Sequence, residues 1–299
     1  MAWWGKSARY SGVAALALTL GLTAVSCTPP APRDSETASM TAVAAPPRQA
    51  AGDPVTHQLS TLIHQVEDTH GGVAGVAVAT GHGVAHGGDP GRWHAWSTVK
   101  VPIAVLAARE GSDEDVDVDA LIEAAIARSE NLPAAELWQL LGGGTAAARQ
   151  LEELLAPYGE VDALSLAREF MPTPIGLIAW PLAGQAEFAS HLPCLPGAEE
   201  VYQAMGEIVP WQVDGLGSIA GMHFKGGWSA EEDVGKRTYT YRQMGALETP
   251  DGVIGMAVLV HPEDGEHATA VQMVDDLAEG LEEMVKTDVF SAVKDCTAV

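Results

Sequence analysis

Positive charge is scarce in this 299-residue chain: 16 lysine and arginine residues stand against 40 aspartate and glutamate, a formal net charge of −24. Phosphate binding needs a basic footprint, so the shortage excludes nucleic acid as a partner, and the acidic excess reads as plain solubility. Cysteine is limited to Cys27, Cys194 and Cys296, and no His-Glu-x-x-His or Cys/His cluster occurs, so no metal is implied. His82 and His86 are four apart but stand among glycines, where a solvent-facing turn is the simpler reading. Asparagine occurs once, at Asn131, and lysine only at Lys6, Lys100, Lys225, Lys236, Lys286 and Lys294.

The ends of the chain read separately from its body. Lys6 and Arg9 precede the uncharged apolar run Val13–Val25, too short to span a bilayer as a mature helix and laid out like a secretory signal over residues 1–26. It closes in Ala24-Val25-Ser26-Cys27, which resembles the lipobox of bacterial lipoproteins. That resemblance implies lipidation at Cys27 and an extracytoplasmic protein anchored to the membrane; the alternative is a cleaved signal and a secreted protein. Residues 27–54, rich in proline, alanine, serine and threonine, read as an extended tether. Outside the cytoplasm Cys194 and Cys296 form either a disulfide or two separate thiols.

With 47% hydrophobic residues the remainder suffices for one large globular unit or two closely packed lobes. Val55–His70 has helical spacing, Val73–Thr80 reads as an apolar strand, and a weaker strand follows between glycine turns. From Ser97 to about Met205 the pattern is mostly helical, with an acidic connection at 112–119 and a proline-marked irregular loop around Pro172, Pro174 and Pro181. Strands return at Met222–Trp228, Arg237–Leu247 and Val253–Val260, as in an antiparallel meander, and His267–Lys286 is an amphipathic helix. The expected fold is α/β of the α+β kind: a domain over 55–290 with a sheet between N- and C-terminal helices, an inserted helical lobe at about 97–215, and a tail at 291–299.

Three short patterns carry the chemistry. Ser97 and Lys100 lie three apart where glycine-rich chain gives way to helix, so the amine is within reach of a hydroxyl placed near a helix N-terminus. Such a pair suits an acyl-transfer nucleophile, although Ser291-Ala-Val-Lys294 repeats the spacing in bland surroundings. The other two patterns are Ser129-Glu130-Asn131 and Lys225-Gly226-Gly227. Taken singly, each reads as a helix cap or a glycine turn.

Together, in this order, the three resemble the Ser-x-x-Lys, Ser-Asp-Asn and Lys-Thr-Gly set of class A β-lactamases and penicillin-binding proteins. The passages Ser97–Ala108 and Ala124–Trp138 are similar to that family too, and the resemblance covers roughly Val55–Lys286. It implies the β-lactamase/transpeptidase-like fold with a five-stranded antiparallel sheet, no cofactor, and the following roles. Ser97 is the nucleophile and Lys100 takes or orients its proton. Ser129 relays a proton to the leaving nitrogen, Asn131 binds the substrate amide, and Lys225 supplies positive potential to Ser129 and the substrate carboxylate. The N–H groups of Ser97 and Trp228 form the oxyanion hole beside Gly226 and Gly227. The implied partners are a small-molecule β-lactam or a peptidoglycan stem peptide.

Departures are equally legible. The first two motifs lie 129 − 97 = 32 residues apart, closer than is usual. Gly226 replaces a hydroxyl residue that would serve a β-lactam carboxylate, Glu130 replaces Asp, and Arg237 or Arg242 is offered as a substitute charge. The family deacylates with a Glu-x-x-Leu-Asn stretch, impossible here because Asn131 is already assigned; Glu160 and Glu169 occupy the appropriate part of the chain without partners. The expected activity is therefore a cell-envelope serine hydrolase that turns β-lactams over poorly. The competing reading is an envelope lipoprotein that keeps the fold and binds cell-wall peptide or a protein.

Overall fold

The computed structural model describes residues 54–88, 94–110, 116–233 and 236–294, with main chain alone at 231–233 and 236–238. Among these, strands β1 (Val73–Thr80), β2 (Gly83–Gly87), β3 (Met222–Asp233), β4 (Lys236–Thr249) and β5 (Gly252–His261) form one antiparallel sheet in the order β2-β1-β5-β4-β3. The meander expected for the last three strands is present, and β1 closes on β5 with Val76 opposite Val258. Helices α1 (Pro54–His70) and α9 (His267–Lys286) precede and follow the strands.

β1 is buried along nearly its whole length because both faces of the sheet are covered, which explains an apolar run instead of alternation. Val76 and Val78 meet Leu59, Leu62, Ile63 and Val66 of α1 and Met273, Val274, Leu277 and Leu281 of α9. Each such large side chain contributes about 1.5–3 kcal/mol on full burial. Ala77, Ala79, Met244, Ala246, Ala257 and Leu259 face the other way, into a second cluster shared with the inserted helices.

That insertion comprises α2 (Lys100–Glu110), α3 (Val118–Ile126), α4 (Asn131–Leu140), α5 (Gly144–Leu155), α6 (Ala163–Glu169), α7 (Leu182–His191) and α8 (Glu199–Met205). The acidic connection ends sooner than expected, because the Asp117 side chain accepts the Ala120 N–H at 3.0 Å and starts α3 at Val118. Helix α7 is buried on nearly every side and lies on the sheet. The contact is so close that a Cβ on Gly255 would stand 2.0 Å from the Ala186 carbonyl oxygen. Small residues on that sheet face are thus what admits the helix.

Cys194 is disulfide-bonded. The signal, Cys27, the expected tether up to residue 53 and Cys296 lie outside the described residues, and Pro54, the tether's expected last residue, opens α1.

Candidate active site

Ser97 does not begin an α-helix. It sits in a 3-10 turn, Trp96–Val99, and the α-helix opens with Lys100. The turn is entered through Trp96 at φ 48°, a left-handed conformation that costs a bulky residue about 1–3 kcal/mol and needs its surroundings to hold it. They do. The Ala95 N–H donates to Ile178 O at 2.7 Å, Thr98 Oγ1 donates to Ala95 O at 2.6 Å, and the Trp96 ring lies edge-on to His94 at 5.3 Å.

Behind the turn is Arg242 of β4, only 1% exposed. It donates to His94 O and Trp180 O at 2.8 Å each and to Gln185 Oε1 at 2.9 Å, while Gln185 Nε2 donates to Thr98 Oγ1 at 2.7 Å. Offered from sequence as a substitute charge, Arg242 is instead turned inward, tying β4, α7 and the Ser97 turn together. The side chain of Arg237 lies outside the described residues.

Lys100 is 3% exposed and its ammonium donates to Ser129 O at 2.7 Å, Asn131 Oδ1 at 2.8 Å and Glu130 O at 3.2 Å. No hydrogen bond joins it to the Ser97 hydroxyl among the described residues, so the first motif is arranged but not engaged. Burial draws the Lys100 amine down to about 8, against the opposing pull of the Glu130 carboxylate. At neutral pH roughly one molecule in ten then carries the neutral amine able to accept a proton.

Ser129 also has a left-handed backbone, at φ 58°, in the corner between α3 and α4. Its hydroxyl accepts from Lys225 Nζ at 2.9 Å, and the same ammonium donates to Gly226 O at 2.8 Å. Lys225 is fully buried; loss of hydration, with the nearby Lys100 charge, pushes its amine well below the ordinary lysine range. Ser129 therefore joins all three motifs: its carbonyl meets Lys100 and its hydroxyl meets Lys225. Glu130 points away, accepting from Arg128 Nε at 2.8 Å with its side chain half exposed, so the longer acid makes an outer ion pair.

The two motif glycines have different reasons. A Cβ on Gly227 would stand 2.6 Å from Ser97 N and 3.0 Å from both Ala95 O and Thr98 N, so the third motif lies directly against the Ser97 turn. At Gly226 the space is bounded by the Tyr241 and Trp228 rings, with Tyr241 Oη 3.3 Å from an added Cβ. Strand β3 is the outermost strand, leaving alternate N–H groups on its open side without a ladder partner. Ser97, Lys100, Asn131 and Trp228 line one cavity of about 440 Å³, walled by Trp96, Trp138 and the 172–177 segment.

Ser129, Lys225, Gly226 and Gly227 are not part of that lining; they lie behind it, tied to it through Lys100 and the Ser97 turn. The sheet order, the inserted helices and this arrangement of the three motifs can now be set beside known structures. The chain aligns with the TLA-3 extended-spectrum β-lactamase over 77% of its length and 99% of that protein, at 11% identity and a TM-score of 0.59. With the class A β-lactamase from Bacteroides cellulosilyticus the figures are 78%, 99%, 13% and 0.59, and with an ancestral class A β-lactamase 75%, 99%, 18% and 0.56. The fold is that of the class A β-lactamases. No protein-family model matches the sequence, nor does any curated protein.

Within this β-lactamase fold the segment after α6 forms one wall of the cavity. Pro172, Thr173, Pro174, Ile175, Gly176 and Leu177 line the cavity beside Ser97, and among the described residues no aspartate or glutamate does. Glu160 and Glu169, the candidates from sequence, are both exposed and outside that lining. Arg242, Gln185 and Thr98 were missed as a group. The only signal for them was an arginine in a strand whose neighbours alternate.

Proposed function

We propose that the chain is a serine acyl-enzyme of the cell envelope, reactive toward β-lactams or D-alanyl peptides and poor at hydrolysing the adduct. The observation that supports this reading is the Lys100–Ser129–Lys225 hydrogen-bonded arrangement behind a cavity lined by Ser97, Lys100 and Asn131. In the proposed reaction the neutral Lys100 amine takes the Ser97 proton as Oγ adds to the substrate carbonyl. The oxyanion is held by main-chain N–H groups of Ser97 and Trp228, and Ser129, hydrogen-bonded to Lys225, passes a proton to the leaving nitrogen. Asn131 is positioned by Lys100 to meet the substrate amide. Among the described residues no carboxylate lines the cavity to orient water for hydrolysis of the ester, and proximity of that water carries much of the barrier.

The test is intact-protein mass spectrometry with a panel of β-lactams, wild type beside Ser97→Ala, followed by a chromogenic β-lactam carried through many turnovers. A persistent single adduct on the wild type alone is expected, with turnover below about 1 per second. No adduct across the panel would move the protein to the competing class, a binding lipoprotein. Residues 1–54 support placing it outside the cytoplasm through lipidated Cys27 and a tether.

A pH prediction follows from Lys100. If its neutral amine is the base, the acylation rate should rise about ten-fold per unit below pH 8 and level off above it, because the proton must leave before the amine can accept another. Stopped-flow acylation between pH 6 and 9 reads this directly. A flat profile would remove Lys100 from the role.

A further inference from the structure

We propose that the cavity between α7, the β1–β2 turn and the 291–294 segment binds a primary ammonium, free or at the end of a peptide side chain. It shares no lining residue with the cavity at Ser97, so the proposal stands apart from the acyl-enzyme reading.

The site gathers what the sequence left over. The cavity measures about 550 Å³, more than the one at Ser97, and its lining includes His82, Glu187, Ser190, His191, Ser291 and Lys294. The histidine among the glycines and the second Ser-x-x-Lys pattern, each bland in the sequence, thus meet in one place. Helix α7 turns Glu187 and His191 to the same side because they stand four residues apart.

One imidazole fixes the chemistry. His191 is 8% exposed and lines this cavity. Its Nδ1 lies 2.9 Å from Glu187 O and 3.1 Å from Ser190 Oγ, while Ser190 Oγ gives its own hydrogen to Glu187 O at 2.7 Å. Neither neighbour has a hydrogen left to offer, so Nδ1 carries the proton and Nε2 of the neutral ring keeps a lone pair. Nε2 makes no hydrogen bond among the described residues and is not one of the polar atoms sealed from solvent. The ring is held in place, tilted against Tyr158 with 5.6 Å between centroids. Beside it, the half-buried Glu187 carboxylate has neither a hydrogen bond nor an ion pair among the described residues.

A lone pair and a carboxylate together call for a ligand with several N–H bonds and a positive charge. An anion is repelled by both groups, and a hydroxyl brings a single hydrogen and no charge. A metal ion finds too few ligands, since no group of three His, Cys, Asp or Glu among the described residues could hold one. A primary ammonium has three N–H bonds, can serve Glu187 and His191 at once, and makes the stronger, charge-assisted kind of hydrogen bond with the carboxylate. The chain's net charge of −24 draws such cations in.

The experiment titrates the full chain with n-butylamine, with the methylamide of Nα-acetyl-lysine and with butanediol, reading heat by calorimetry and the His191 ring nitrogens by NMR. n-Butylamine should bind with a dissociation constant of about 1 mM or tighter, shift the His191 signals, and bind Ser97→Ala as well as the wild type. Butanediol, neutral with two hydroxyls, should bind about ten-fold more weakly or worse, and Glu187→Gln, shown folded by circular dichroism, should lose about ten-fold for the amine. Equal binding of the lysine derivative assigns the site to a peptide side chain, and binding of n-butylamine alone assigns it to a free amine. Equal affinity for butanediol, a Glu187→Gln protein within about two-fold of wild type, or no heat and no His191 shift at about 10 mM amine overturns the proposal. None of these results bears on whether Ser97 is acylated.

Discussion

Gly227→Ala should leave the fold in place and lower acylation of Ser97 by about two orders of magnitude. The added methyl carbon would meet Ser97 N at 2.6 Å, with Ala95 O and Thr98 N at 3.0 Å, and all three atoms are backbone. No side chain can swing aside, so the Ser97 turn itself must move. A displacement of about 1 Å at a reacting atom is enough to cost roughly a hundred-fold in rate. Gly226→Ala is the matched control, since its Cβ meets only side-chain atoms, the nearest at 3.3 Å. Acylation kinetics with circular dichroism on both variants decide the matter; a Gly227→Ala protein within a few-fold of wild type would show that the turn is not held by this contact.

Arg242→Met is expected to act on stability. It leaves His94 O, Trp180 O and Gln185 Oε1 without the donor each now has, and an unsatisfied buried acceptor costs about 1–3 kcal/mol. Three such losses amount to about 3 kcal/mol or more, which for a domain of this size lowers the melting temperature by about 6 °C or more. Arg242→Lys should recover little, because a single ammonium cannot span the three acceptors as a planar fork does. Differential scanning calorimetry on both variants checks this, and a shift under about 2 °C for Arg242→Met would mean that the network carries little free energy.

The elements with regular apolar spacing were legible before any coordinates: α1, β1, the β3–β5 meander and α9 fall within a few residues of where periodicity put them. Lys100, Ser129, Asn131 and Lys225 are joined by hydrogen bonds and Ser97 shares a cavity with Lys100 and Asn131, a proximity that the order of the three motifs implied only through the family resemblance, since each motif alone is bland. What spacing does not record is which way a long side chain turns. Arg242 finds its partners 148, 62 and 57 residues away in sequence, two of them backbone carbonyls that no residue type announces. Glu130 looked like a substitute for a motif acid, yet it reaches outward to Arg128. The left-handed backbone at Trp96 and Ser129 was equally hidden, since neither residue type favours it. Those conformations are imposed by packing and long-range hydrogen bonds.

The close seating of α7 on Gly255 has a bearing on how the chain folds. The insertion divides the sheet in sequence, so β1 must await some 170 intervening residues before pairing with β5. Its helices have no interior of their own, because one cluster joins Leu137, Leu151 and Phe188 to Ala77, Ala257 and Leu259 of the sheet. Two lobes that share a single hydrophobic interior lose and gain it together. The outline drawn by topology, a sheet domain plus a helical domain, therefore does not mark out two folding units, and the corner that holds Ser97, Lys100 and Ser129 exists only once both halves of the sheet have closed around α7.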